Sequence, residues 1–150
     1  MKRAQFGEAV KYYRRAALDD PANAAYPVAQ GLAEMMRGEF GAAATALRRG
    51  LIGHPRPEAI RIDLAAVLGR AALYDDAVWR LMRALEDLPE RADFHFVAGF
   101  HYMAVGEWAM AARHFKTAEA LDPADEAAAR LRPIATRQWQ RQEEREGAED

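Results

Sequence analysis

The chain has 150 residues, of which 51% are hydrophobic and 29% are charged, and its formal net charge is −2. This composition is typical of one globular domain, and the near-neutral charge provides no overall attraction to nucleic acid or to an anionic membrane. No cysteine occurs, which excludes disulfide bonds and thiolate metal sites. Because the sequence contains neither a membrane-spanning apolar run nor an apolar signal segment, a cytoplasmic location is expected.

The first half of the chain contains three predicted helices. Apolar residues at helical spacing predict the first over residues 3–18. Asn23 is placed to cap a second helix that reaches about Arg37, because its side-chain oxygen can accept from free backbone amides at a helix start. A turn at Gly38 leads into a third helix over residues 40–52.

The second half continues the pattern, with helices predicted over residues 58–70, 74–88, 92–105 and 108–121. Asp125 is placed to cap a last helix over residues 126–142, in which Pro133 is expected to produce a kink or a break. Residues 143–150 are charged and small, so they are predicted to form a disordered polar tail.

The same residue types return every 34 residues in four copies. Five positions of the period are shared: an aromatic residue (Phe6, Phe40, Tyr74, Trp108), an alanine (Ala9, Ala43, Ala77, Ala111), a bulky residue (Tyr13, Leu47, Leu81, Phe115), a small residue (Ala16, Gly50, Ala84, Ala118) and a proline (Pro21, Pro55, Pro89, Pro123). A fixed period of this length predicts a stack of helical hairpins. The first copy holds only a second helix, so the stack is predicted to begin with half a unit.

At these positions the chain resembles the tetratricopeptide repeat family, whose helix-turn-helix unit has the same length and residue pattern. The family's packing and turn glycines are present as Gly31, Gly99, Gly38 and Gly106, whereas its tryptophan is replaced by Pro27, Arg61 and His95. The resemblance implies an all-α, right-handed superhelical solenoid of antiparallel helix pairs. It divides residues 1–142 into a half repeat over 1–21, repeats over 24–57, 58–91 and 92–125, and a capping helix over 126–142.

The resemblance also implies where a partner would bind. In the family the inner wall of the superhelix is lined mainly by first helices, and the matching residues here are apolar: Val28, Leu32, Met35, Ile62, Ala66, Phe96, Phe100 and Met103. The basic clamp with which some members bind a terminal carboxylate is absent from these positions. The chain is therefore predicted to be a non-catalytic scaffold that binds an apolar segment or amphipathic helix of a partner protein.

Two other functions are considered. The half repeat could join two copies into a homo-oligomer through Phe6, Val10 and Tyr13, because a bare apolar surface usually marks an interface. A more remote alternative is nucleic-acid binding through the basic residues late in each second helix, which are Arg14, Arg15, Arg48, Arg49, Arg83 and Lys116. A solvated helix face explains the same basic residues.

No arrangement of reactive residues predicts catalysis. His95 and His101 are six residues apart and do not share a helix face, and His114 belongs to the next helix, so their spacing does not predict a metal site. No glycine-rich phosphate loop or nucleophile elbow occurs. The sequence therefore predicts neither an enzyme nor a cofactor site.

Overall fold

The computed structural model describes residues 2–61 and 71–150. These residues form seven α-helices and no strand, which confirms the predicted all-α class for this part of the chain. The helices are α1 (Lys2–Asp19), α2 (Ala25–Met36), α3 (Phe40–Gly53), α4 (Ala71–Asp87), α5 (Ala92–Ala104), α6 (Trp108–Leu121) and α7 (Glu126–Glu149). A short 3-10 helix covers Pro57–Ala59.

The predicted caps and turns position these helices. Asp125 caps α7 as predicted, since its side chain accepts from the Ala128 amide at 3.0 Å. The N-cap position of α2 is Ala24 rather than the predicted Asn23, whose side chain accepts from the Ala25 amide at 3.1 Å. Gly38 and Gly106 have φ of 79° and 80°, a left-handed conformation that glycine adopts without steric cost. They turn the chain sharply between α2 and α3 and between α5 and α6.

Two further glycines bring the helices of each hairpin close together. A methyl group at Gly31 would lie 2.5 Å from the Leu47 side chain, and one at Gly99 would lie 2.7 Å from the Phe115 ring. Leu47 and Phe115 are fully buried. The antiparallel pairs α2–α3 and α5–α6 are therefore held together by a bulky residue of the second helix that packs on a glycine of the first.

The order in which the helices pack differs from the predicted sequential stack. α1 packs on α2, and α6 packs on α7, as neighbours in the chain should. However, α3 packs directly on α5, where the Phe40 and Phe94 rings meet edge to face with their centroids 5.8 Å apart. α4 contacts both α2 and α5. The pairs α2–α3 and α5–α6 are therefore in direct contact, although the sequence predicts a third pair between them.

An ion-pair cluster centred on Arg48 joins α3 to two later segments. Arg48 Nη1 lies 2.8 Å from Asp93 Oδ1, and Arg48 Nε lies 3.0 Å from Asp125 Oδ2. Its guanidinium also lies 4.8 Å from the centroid of the Phe96 ring. On the same side, Arg130 of α7 donates to the carbonyl oxygens of Leu51 and His54.

The helix predicted over residues 58–70 does not begin where expected. Pro57–Ala59 form a single 3-10 turn, Ile60 is extended, and Arg61 is not helical. The Arg61 guanidinium donates to the carbonyl oxygens of Glu58 and Ile60, which competes with helical hydrogen bonding at those residues. The remaining part of that prediction, residues 62–70, lies outside the described residues.

α7 is longer and more continuous than predicted. It passes through Pro133 without a break and extends to Glu149, so the segment predicted to be a disordered tail is helical. Arginine, glutamate and glutamine favour helix, and Gln142 donates to Glu146 one turn further on, at 3.2 Å. These local interactions explain why a segment of mainly charged residues remains helical.

Candidate functional site: the apolar face beneath α4

α4 is an amphipathic helix with one apolar stripe. Tyr74, Ala77, Leu81 and Leu85 recur at helical spacing, and all four are buried. Trp79 lies on the other side of the helix and is 62% exposed. α4 therefore has a single packing face, which it directs into the protein.

That packing face rests on α2 and α5, and polar contacts fix its two edges. Arg80 Nη2 donates to the Met36 carbonyl oxygen, at the end of α2, over 3.2 Å. On the α5 side, the Tyr102 hydroxyl donates to the Met82 sulfur over 3.8 Å. We call the surface of α2 and α5 that α4 covers the α4 seat.

The predicted groove residues lie in the core with α4 and do not line an open groove. Val28, Leu32, Met35, Phe96, Phe100 and Met103 are all buried, and they belong to the same hydrophobic cluster as the α4 stripe. Ile62 and Ala66 lie outside the described residues. These six apolar residues and the α4 stripe are therefore packed into one core, and their role as a partner-binding wall stays a prediction.

A tyrosine and a histidine form a buried polar contact between α4 and α5. The Tyr74 hydroxyl lies 2.6 Å from His101 Nδ1. Burial raises the pKa of Tyr74, and burial lowers the pKa of His101 to about 4 despite the opposing effect of Asp75. At neutral pH the hydroxyl therefore keeps its proton and the imidazole is neutral, so the hydroxyl can donate a hydrogen bond to His101 Nδ1.

The sequence did not reveal that His95 and His114 meet across the α5–α6 hairpin. Their Nδ1 atoms lie 3.1 Å apart, and His95 Nε2 lies 2.7 Å from the Pro89 carbonyl oxygen. Because His95 Nε2 must donate to that carbonyl, a neutral His95 accepts at Nδ1 and His114 donates. Their meeting follows from the antiparallel pairing of the two helices, which spacing along one helix does not show.

These histidines do not form a metal site with their neighbours. Within residues 2–61 and 71–150, no group of three histidine, cysteine, aspartate or glutamate side chains could hold a metal ion. Burial lowers the pKa of His114 to about 4, and the neighbouring His95 and Arg113 lower it further in the same direction. His114 is therefore neutral at neutral pH, and its ring forms a hydrogen-bonded contact with His95.

The residues predicted for self-association are largely used within the chain. Val10 is buried in the α1 packing face, Phe6 packs partly against the core, and Tyr13 is half-buried. The exposed apolar residues of α1 are instead Tyr12 and Leu18. Val10 is thus not available as a contact for another copy, because α2 packs against α1.

Three of the basic residues proposed as a ladder have partners within the chain. Arg48 is only 24% exposed and is held between α3, α5 and α7 by its two ion pairs. Arg49 donates to Gln30, and Arg83 pairs with Glu86 on its own helix. The interpretation of these residues as a solvated face was wrong for Arg48, which is an internal contact.

Comparison with protein-family models, with curated proteins and with solved structures found no match to this chain. Among the helices that the structure describes, none is long and apolar enough to cross a membrane.

Proposed function

We propose that this protein is a non-catalytic interaction module whose α4 seat binds an amphipathic helix of a partner protein. The observation that supports this proposal is α4 itself, a 17-residue amphipathic helix that lies on the seat through one apolar stripe. A surface that accommodates one such helix has the shape and chemistry to accept another. Helix-in-groove binding is a common mode of peptide recognition.

The contacts of α4 indicate which partner helix would fit. The stripe presents an aromatic residue first, followed by Ala77, Leu81 and Leu85 at successive turns. Six residues after its aromatic residue, a fitting partner helix would carry a cation that donates to the Met36 carbonyl oxygen at the end of α2, as Arg80 does. The core cluster that includes the α4 stripe also contains Met35 and Met103, whose unbranched side chains can repack around different apolar ligands.

A partner helix and α4 would compete for the same surface. The partner must bind better than α4, and its apparent affinity is reduced by the fraction of molecules in which α4 remains seated. The module is therefore expected to bind weakly until α4 is displaced. The resemblance to tetratricopeptide repeats supports the same type of function, because that family binds partner segments on its first helices.

The proposal is tested with a labelled peptide of residues 71–87 and a full-length Leu81→Glu variant. The substitution places a carboxylate in the buried stripe, so it should displace α4 while the hairpins α2–α3 and α5–α6 remain folded. The peptide should bind this variant at least about tenfold more tightly than it binds the wild-type chain. Fluorescence anisotropy measures both affinities, and circular dichroism establishes that the variant remains helical.

Trp79→Glu is the matched control, since it makes the same change on the exposed side of α4. This variant should bind the peptide no better than the wild-type chain does. A helical Leu81→Glu variant that does not bind the peptide would contradict the proposal. If Leu81→Glu unfolds the chain, wild-type chain with excess peptide gives the same test, because hydrogen exchange of α4 must then increase as the peptide replaces it.

A further inference from the structure

An open basic groove lies between α6 and α7, on a part of the molecule distinct from the α4 seat. It encloses about 420 Å³ and is lined by Ala109, Ala112, Arg113, Lys116, Arg132, Thr136 and Trp139. Arg113 and Lys116 are exposed, and Arg132 forms an ion pair with Glu119. Trp139 is 38% exposed at the edge of the groove. The groove therefore combines positive charge with an accessible aromatic surface.

One face of α7 carries this chemistry and its electrostatic complement. Each residue of an α-helix is rotated by about 100° around the helix axis. Arg132 and the residues of α7 that follow it in alternating steps of four and three therefore lie within an arc of about 80° around that axis. They are Arg132, Thr136, Trp139, Glu143, Glu146 and Asp150. The stripe is basic before Trp139 and acidic after it, whereas Arg137 and Arg141 lie on the opposite side of the helix. We call this face the α7 stripe.

The acidic half of the α7 stripe is available for contact. Every residue from Trp139 to Asp150 is exposed, although the segment is helical to Glu149. Helices in proteins are usually stabilised by packing one face against another element. Here Gln142 donates to Glu146 on its own helix, and the face that includes Glu143 and Glu146 remains open to solvent.

We propose that α7 of a second copy lies antiparallel in this groove and that the two copies form a two-fold dimer with its axis at Trp139. In such a dimer Trp139 meets its own counterpart, and Arg132, seven residues before it, faces Glu146, seven residues after it. Glu143 of the second copy comes beside Lys116 and Thr136. The same surface of both copies is used, as a two-fold interface requires.

Charge complementarity selects a second copy as the occupant. The groove is basic, so a basic helix such as α1, with Lys11, Arg14 and Arg15, does not complement it. The end of α7 is the acidic segment whose spacing matches the groove. A single exposed ion pair contributes little to affinity, so the tryptophan contact and several pairs must act together. The dimer is expected to be weak, with a dissociation constant on the order of micromolar, and to weaken further as salt increases. It does not depend on the proposed function of the α4 seat.

Sedimentation equilibrium of the full chain across a wide concentration range is the first test. The wild-type chain should change from monomer to dimer as concentration rises, and Trp139→Glu should remain monomeric. Trp79→Glu is the control for this substitution, because it introduces the same charge at the other highly exposed tryptophan and should leave dimerisation unchanged. A wild-type chain that remains monomeric at the highest soluble concentration overturns the proposal.

Two charge-reversal variants distinguish this dimer from any other self-association. Arg113→Glu/Lys116→Glu makes the groove acidic, and Glu143→Lys/Glu146→Lys makes the stripe basic. Each variant alone should dimerise at least about tenfold more weakly than the wild-type chain, because like charges then meet. An equal mixture should associate more tightly than either variant alone, because each stripe then meets positions 113 and 116 of opposite charge, and only Arg132 of the first variant still faces a like charge at position 146.

Failure of the mixture to associate, with both variants still helical, contradicts the antiparallel arrangement. Binding of an acidic peptide to a monomeric wild-type chain, abolished by Arg113→Glu/Lys116→Glu, would likewise overturn the dimer and assign the groove to another protein.

Discussion

Arg48 shows how one residue can control packing between distant helices. Its partner Asp125 is 2% exposed and also caps α7, so loss of the guanidinium leaves a buried carboxylate without its cation. Removing one member of a buried ion pair is costly because the other charge stays desolvated. This consequence differs from that of the neighbouring Arg49, which is exposed and makes one hydrogen bond to Gln30.

We therefore expect Arg48→Met to lower the free energy of unfolding by about 3 kcal/mol. Arg49→Met, the matched control, should change it by less than about 1 kcal/mol. Urea unfolding followed by circular dichroism measures both values. Equal effects of the two substitutions would show that the Arg48 ion pairs do not stabilise the fold.

His101 and His114 make stability depend on pH. Burial lowers the pKa of each to about 4 in the folded chain, below the ordinary value of 6.5 that applies when it is unfolded. Between these values the unfolded chain binds more protons, so the free energy of unfolding is greatest above about pH 6.5 and decreases as pH falls toward 4. Protonation would also remove the acceptor that His101 presents to Tyr74.

His114→Gln should therefore flatten the pH dependence of the unfolding free energy between pH 6.5 and pH 4. Its amide can still donate to His95, so the hairpin is retained. His54→Gln serves as the control, because that ring contacts only the nearby Arg56 amide and lies outside this cluster. A curve for His114→Gln with the same slope as the wild-type curve would contradict this account.

At the scale of one element, α4 divides into a buried stripe and an exposed side. Leu81 is fully buried, whereas Leu88, directly after the helix, is 41% exposed. Leu81→Ala should lower the free energy of unfolding by about 2–5 kcal/mol because it leaves a cavity, and Leu88→Ala should change it by less than about 0.5 kcal/mol. Thermal or urea unfolding distinguishes the two, and similar values would show that α4 is not seated in the intact protein.

The sequence predicted the individual elements better than their arrangement. Helical spacing, the cap at Asp125 and the turn glycines are local signals, and each of these matches the structure, whereas Asn23 lies one residue before the N-cap position of α2. The length of α7 was underestimated because charged and small residues were interpreted as disorder, although charged helix formers sustain the helix. For residues 58–61, the sequence did not show that Arg61 would bind nearby carbonyl oxygens.

For the whole molecule, the 34-residue period predicted which residues face inward but not which neighbour covers them. Phe96, Phe100 and Met103 were identified as apolar and inward-facing, and they are buried. Which helix covers them is decided by tertiary packing, which the period does not encode. The superhelical solenoid therefore remains a prediction, while the apolar character of the α4 seat follows directly from the sequence.

The contacts of Arg48 and Arg130 also determine how the protein should come apart. In a simple repeat array each unit touches only its neighbours, so the array can fray from one end. Here Arg48 binds residues 45 and 77 positions away, and Arg130 reaches back to Leu51 and His54. These contacts connect α3 with α7, so loss of α7 removes support from α3 directly.

We consequently expect a single cooperative unfolding transition, in which hydrogen-exchange protection of α3 and α7 is lost at the same urea concentration. With Arg130→Gln and Arg48→Met combined, α3 and α7 should lose protection at different urea concentrations, because the two substitutions remove the contacts that join these helices. Earlier loss of α7 in the wild-type chain would instead indicate fraying from one end. Contacts between residues so far apart in the sequence should also lower the folding rate relative to a helical stack with only local contacts, since distant segments must meet before these ion pairs form.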